Sequence, residues 1–133
     1  TDVVYSREGM EITERLVADM LRSRGTRVAY FESNNGGRGF ARAVGKLVPR
    51  VRIEWFHQSG NKEARISTNS ATVLQNILMP DGWRTRWPDF YNHLVTYNRQ
   101  FRANRWHDAP DVLTGIAERE FADVFAKRIH RYG

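Results

Sequence analysis

RVAYFESNNGGRGFARAVGKLVPRVRIEWFH, residues 27–57, decides how this chain folds. RVAYFE at 27–32 carries an unbroken apolar run that ends on Glu32. Such a run predicts a strand covered on both faces, as in a parallel sheet. SNNGG at 33–37 is a polar, glycine-rich turn. GFARAVGKLVPR at 39–50 predicts a helix, with Pro49 after its end, and VRIEWFH at 51–57 predicts another strand. Strand, turn, helix and strand make the right-handed crossover of an α/β sheet.

Working outward, the spacing of Ile12, Leu16, Val17, Met20 and Leu21 predicts a helix over 10–24, stopped by Gly25. DVVY at 2–5 reads as a short strand before it. KEARISTNSATVL at 62–74 predicts a helix with Ile66 and Val73 or Leu74 inward. NILMPDGW at 76–83 reads as an edge strand closed by a Pro-Asp-Gly turn. Phe90, Leu94, Val95 and Tyr97 predict a helix over 87–101. A polar loop, RANRWHDAP, then leads into a last helix from about 110 to 128. Internal repeats and low-complexity stretches are absent.

A length of 133 residues suits one domain with one core. An apolar content of 41% and a charged content of 27% are those of an ordinary globular chain. No apolar run reaches the roughly 18 residues of a membrane span, and no secretory leader is visible. Without cysteine there is neither a disulfide framework nor a thiolate zinc site, which fits a reducing compartment. The net charge of +6 comes from 21 Lys and Arg against 15 Asp and Glu, and the cations are mostly Arg. Arg binds phosphate bidentately, so the balance points to a polyanion such as nucleic acid, or to a basic protein without one.

Candidate chemistry gathers at two places. In α/β sheets ligands collect beyond the carboxyl ends of the strands, where Glu32 stands with SNNGG directly after it. Glycine there lets a ligand approach the backbone closely. The nucleotide-binding spacings GxxxxGK[ST] and GxGxxG are both missing, so no ATP site is visible. The second place is WHDAPD at 106–111. Pro110 suits the first turn of a helix, Asp108 its N-cap, and Asp111 the favourable end of its dipole. Capping explains these acids alone. Packing of that last helix on the sheet would instead bring Asp108 and Asp111 beside Glu32. Carboxylates converging without Lys or Arg between them need a divalent cation. Hard oxygen ligands favour Mg2+ or Mn2+ over zinc.

YSREGMEITE, YFESNNGGRGFAR, NKEARI and WHDAPDVLTG occur in that order. Together they resemble the nuclease domain of phage terminase large subunits, over about residues 2 to 120. ESNNGGRGFAR and DAPDVLTG carry the likeness most specifically. The resemblance implies a ribonuclease H-like fold, a mixed sheet flanked by helices. It also implies two-metal cleavage of concatemeric viral DNA during genome packaging, with Mg2+ or Mn2+ as cofactor. Glu32 matches the family's middle acidic motif, and Asp108 and Asp111 match its last, so these three are the implied catalytic and metal-binding residues. His107 stands where the family commonly has another Asp, and it would ligate or support a metal, with Asn34 and Asn35 as further supports. Asn34 and Asn35 serve equally well as turn residues. The family's first catalytic aspartate would lie on a strand before residue 1, and Asp2 is a poor substitute. The expectation is therefore a partial nuclease domain, short of its opening strand and inactive by itself. Implied partners are double-stranded DNA and, for an intact terminase, the small terminase subunit and the portal, in the host cytoplasm and not on a membrane.

Arg38, Arg42 and Lys46 recur every four residues on one helix face, and Arg99, Arg102 and Arg105 border the acidic loop. Both sets are candidate DNA contacts, with a solvated helix face as the plain alternative. Trp55, Trp83, Trp87 and Trp106 read as packing residues, and His57, His93 and His130 as structural or surface positions. Two rival functions remain: a non-catalytic DNA-binding module whose acids cap and pair, and another ribonuclease H-like nuclease such as a junction resolvase.

Overall fold

A computed structural model describes residues 1–98 and 106–132, with residues 122–132 described by their backbone alone. Helix and strand are mixed, and the chain divides into two compact units, Asp2–Ser59 and Gly60–Gly133.

In the first unit, helix α1 (Met10–Ser23) leads to strand β1 (Val28–Glu32), helix α2 (Gly37–Leu47) and strand β2 (Arg52–Phe56). Gly25 closes α1 as its position in the sequence predicts. It adopts φ +60°, a left-handed conformation that glycine takes without strain, and Thr26 N–H reaches back to the Leu21 carbonyl at 3.0 Å. The two strands pair in parallel, from Val28 opposite Arg52 to Glu32 opposite Phe56, with α2 as the crossover between them. This is the α/β unit read from residues 27–57.

Side chains of parallel partners share a face and alternate along each strand. Ala29, Phe31 and Ile53 therefore point to one side, where they join Ala18 and Leu21 of α1 and Val44 and Val48 in the core. Ala41 and Val44 are fully buried on the same stripe of α2. The expectation of cover on both faces is not met. Tyr30, Glu32, Arg52 and Glu54 point the other way and are exposed, because within this unit the helices pack on the Ala29 side only. The apolar stripe of α1 is also only half used: Ala18 and Leu21 are buried, whereas Ile12 and Leu16 are exposed.

DVVY does not form the expected strand. Asp2 instead accepts the N–H of Val3 at 3.0 Å and pairs with Arg24 at 3.2 Å. A local side-chain bond of this kind competes with sheet pairing for the backbone.

The second unit is helical: α3 (Lys62–Asn76), α4 (Trp83–Arg86), α5 (Pro88–Val95) and α6 (Asp108–Tyr132). Asn61 caps α3, its side-chain oxygen accepting from Ala64 N–H at 2.9 Å. Helix α6 packs on α3 and α5, and α4 on α5. Ala109, Leu113 and Ala117 are buried at four-residue spacing, with Ile66 and Phe90 also buried in this unit. Trp83 meets Phe90 and Tyr91 edge-on.

Two expectations change here. The edge strand at 76–83 is a stretch of irregular chain followed by a turn, in which Trp83 N–H bonds the Pro80 carbonyl at 3.2 Å. Pro80 has no N–H to offer a ladder. Leu74 is 82% exposed and Val73 half-buried, so Val73 takes the inward place, beside a buried Thr72. The helix expected over 87–101 runs from Pro88 to Val95, and residues 99–101 lie outside the described residues. No described helix is long and apolar enough to cross a membrane.

Candidate functional site

Glu32 is the last residue of β1, and its side chain is exposed on the face turned away from α2. The loop behind it is built tightly. Ser33 bonds the Phe56 carbonyl twice, through its N–H at 2.8 Å and its hydroxyl at 2.9 Å. Asn34 then mimics one further ladder step: its amide nitrogen donates to the Gln58 carbonyl at 2.7 Å and its amide oxygen accepts from Gln58 N–H at 3.2 Å. Asn35 and Gly36 both turn left-handed, at φ 49° and 85°, and swing the chain into α2. At Gly37 a Cβ would stand 1.8 Å from the Glu32 carbonyl oxygen. Only glycine fits there. The Gly-rich stretch thus fixes the backbone at Glu32. Asn34 is held as a structural clamp, and Asn35 supplies the turn.

Asp108 and Asp111 stand together in the first turn of α6, with Pro110 buried between them; the helix starts at Asp108, two residues earlier than expected, so Asp108 lies inside it rather than at its N-cap. Asp108 is exposed, whereas the Asp111 side chain is only 11% exposed. Arg65 approaches Asp111 Oδ1 at 3.0 Å, and Lys62 approaches Oδ2 at 3.2 Å. Arg65 also binds Glu118, about two turns further along α6. The expectation that no Lys or Arg stands among the acids is therefore corrected at Asp111. Its charge is neutralised by α3, and it clamps α6 to that helix. Burial acts to lower the Arg65 pKa, but hydrogen bonds and charge from Glu118 and Asp111 outweigh it and hold the guanidinium above its ordinary value.

Around the same turn lie His107, expected to ligate or support a metal, and Tyr97 and Glu63, which were not singled out as site residues. The Tyr97 hydroxyl is buried and meets no hydrogen-bond partner among the described residues. Its ring meets His107 edge-on, at 5.9 Å between centroids. Burial raises the Tyr97 pKa, and the negative charges of Glu63 and Asp111 raise it further. His107 Nδ1 lies 3.9 Å from Glu63 Oε1. His93, expected to be a bland position, stacks on Trp106 at 5.2 Å with the rings 12° apart. Among the described residues no three His, Asp or Glu side chains form a group that could hold a metal ion. Glu32 stands in the first unit and the acidic pair in the second.

The predicted cations divide likewise. Arg38, Arg42 and Lys46 are exposed on α2, and none forms an ion pair among the described residues. The guanidiniums of Arg38 and Arg42 each lie 5.8 Å from the ring centroid of Trp55. Trp55 is 44% exposed, so it is not the packed core residue expected. Arg99, Arg102 and Arg105 lie outside the described residues, as does the side chain of His130.

No family model, curated protein or solved structure matches the chain.

Proposed function

We propose that the chain is a metal-dependent DNA endonuclease domain of ribonuclease H-like type, of the kind that cuts concatemeric DNA in viral packaging. The observation that supports this reading best is Glu32. An exposed carboxylate ends a parallel strand, and a loop that tolerates only glycine at position 37 fixes the backbone behind it. That is where open α/β sheets gather ligands. The resemblance of ESNNGGRGFAR and DAPDVLTG to the terminase nuclease domain supplies the reaction class.

The donors fit Mg2+ or Mn2+ in part. Glu32 and Asp108 are exposed carboxylates with no ion pair among the described residues, and there is no sulfur ligand to favour a softer metal. Asp111 does not fit as it stands, since both its oxygens face cations. In this reading Glu32 is a candidate ligand in the first unit and Asp108 a candidate ligand in the second, while Asp111 orients the first turn of α6 through Arg65 and Lys62. A divalent ion, when bound, would supply an activated water and stabilise charge on the phosphate. The cations of α2 attract DNA through its phosphates.

The pairing of Asp111 favours one second reading, a DNA-binding module whose acids are structural. Calorimetric titration with Mn2+ separates the two. The nuclease reading expects binding that weakens about tenfold or more in both Glu32→Ala and Asp108→Asn. Absence of binding, or affinity unchanged in both variants, overturns it in favour of the module.

A further inference from the structure

Trp55 belongs to the core face of the sheet by its register with Phe31, yet 44% of it remains open to solvent. A strand residue on the side that two helices cover is ordinarily buried, as Ala29 is. What covers Trp55 instead is a pair of guanidiniums. Arg38 and Arg42 sit one turn apart on α2 and hold their charged ends at 5.8 Å from the indole centroid. Lys46 continues the row by one more turn. None of the three has a carboxylate partner among the described residues, although acidic and basic residues intermingle elsewhere on this unit, as at Arg22–Asp19 and Arg52–Glu54. Glu11 and Glu14 of α1 line the same groove as Arg42 and Lys46 without pairing directly with them, so the positive charge on this helix face is offset only in part.

An exposed indole framed by guanidiniums that form no ion pair combines two different attractions. The cations draw phosphates, and the open aromatic surface draws another flat ring. Duplex DNA offers the first but hides its base faces in the stack. Single-stranded DNA offers both, with bases free to stack on tryptophan while flanking phosphates reach Arg. Cation–π contact with Trp55 keeps the two guanidiniums gathered beside the ring, so little side-chain freedom remains to be lost on binding. Glu32 projects from the opposite face of the sheet, so this surface is separate from the carboxylate of the candidate catalytic centre.

We propose that Trp55, Arg38 and Arg42 form a stacking platform for single-stranded DNA, with Lys46 extending its phosphate track. The proposal rests on the reading of this chain as a DNA-handling domain, but it does not require a metal or a cleavage activity.

The test is fluorescence anisotropy in chelator, with a labelled oligothymidine of about 12 nucleotides and a blunt duplex of equal length. The chain should bind the single strand more tightly than the duplex. Trp55→Ala should weaken single-strand binding by roughly 5- to 100-fold, the loss of one stacked base, and leave duplex binding within about twofold. Trp55→Phe should retain most of the single-strand affinity, which also guards against misfolding as the cause. Arg38→Gln with Arg42→Gln should weaken both ligands and flatten the salt dependence. Tighter binding of duplex, no binding of either ligand, or an equal loss of both in Trp55→Ala would overturn the platform. Because the assay is metal-free, failure of the nuclease reading in the Mn2+ titration leaves its outcome untouched.

Discussion

Arg65 grips Asp111 across the contact between α3 and α6, at 3.0 Å, with both side chains almost out of solvent at 14% and 11% exposure. The two residues come from the stretches NKEARI and DAPDVLTG. A pair this well covered behaves differently from the exposed Arg22–Asp19 pair on α1, whose side chains are 59% and 72% exposed. Exposed pairs contribute little, because water already solvates both charges. Removing one partner of a covered pair strands the other charge in a place that water reaches poorly.

Arg65→Met should therefore destabilise the chain by roughly 2–4 kcal/mol, since Asp111 and Glu118 both lose their guanidinium and only Lys62 remains on Asp111. Arg65→Lys should recover less than half of that, because one ammonium cannot fork between two carboxylates. Arg22→Ala should cost less than about 1 kcal/mol. Thermal melts followed by circular dichroism compare the three. Equal losses for Arg65→Met and Arg22→Ala would remove the clamp from the account.

Neighbouring glycines should respond very differently to alanine. Gly36 takes a left-handed φ with open space where a Cβ would stand, so Gly36→Ala should cost about 1–2 kcal/mol of backbone strain. Gly37 has ordinary φ, but its Cβ would overlap the Glu32 carbonyl at 1.8 Å. Gly37→Ala must push α2 away from the strand end, and a loss above roughly 3 kcal/mol or failure to accumulate as folded protein is expected. Gly36→Asn should be milder than Gly36→Ala, since Asn tolerates the left-handed region, as Asn35 beside it does at φ 49°. Chemical denaturation of the four proteins provides the ranking.

The contrast shows what the sequence discloses. Strand, glycine-rich turn, helix and strand over 27–57 could be read because apolar runs, glycines and Pro49 are local signals, and they place Glu32 correctly at a strand end. The same local rules located the first turn of α6 and both of its acids. They missed Arg65 and Lys62 as partners of Asp111, because a helical cation at position 65 carries no mark of which helix it will face. DVVY and NILMPDGW failed for a related reason. Their composition suits strands, but a strand also needs a free edge to pair with, and composition does not report edges. Trp55 was misjudged because an aromatic residue in an apolar run reads as core, while its cover turned out to be two arginines.

Tyr97 gives a prediction in pH. Burial and the nearby acids favour its neutral form in the folded chain, so its phenol ionises above the ordinary value near 10. The unfolded chain ionises first as the solution becomes alkaline. The stabilisation from keeping Tyr97 neutral is thus complete below pH ~10 and is lost as pH rises through the folded-state value. In a spectrophotometric titration Tyr97→Phe should remove a fraction that ionises above the ordinary phenol value. It should also soften the fall of melting temperature above pH ~10. A titration in which the variant loses an early fraction instead would place Tyr97 in water.

Asp108 and Asp111 share one helical turn but differ in surroundings, and their asparagine variants should separate accordingly. Asp108 is exposed in the first turn of α6, where Asn replaces it without a change of shape. Asp108→Asn should leave the metal-free melting temperature within a few degrees, with any change a slight fall from losing a negative charge at the helix N-terminus. Asp111→Asn keeps the shape but removes the charge that Arg65 and Lys62 face, so it should cost roughly 1–3 kcal/mol without metal. Metal should reverse the order. If Asp108 is a metal ligand, Asp108→Asn weakens Mn2+ binding about tenfold or more, while Asp111→Asn changes it by less. Melting with and without Mn2+ reads both effects in one experiment, because an ion that binds only the folded chain raises its stability with the logarithm of one plus the ratio of free ion to its Kd. The Mn2+-induced rise should vanish in Asp108→Asn and persist in Asp111→Asn. A rise that survives Asp108→Asn and disappears in Asp111→Asn would transfer the ligand role to Asp111, and would require Lys62 and Arg65 to let go of its carboxylate when the metal arrives.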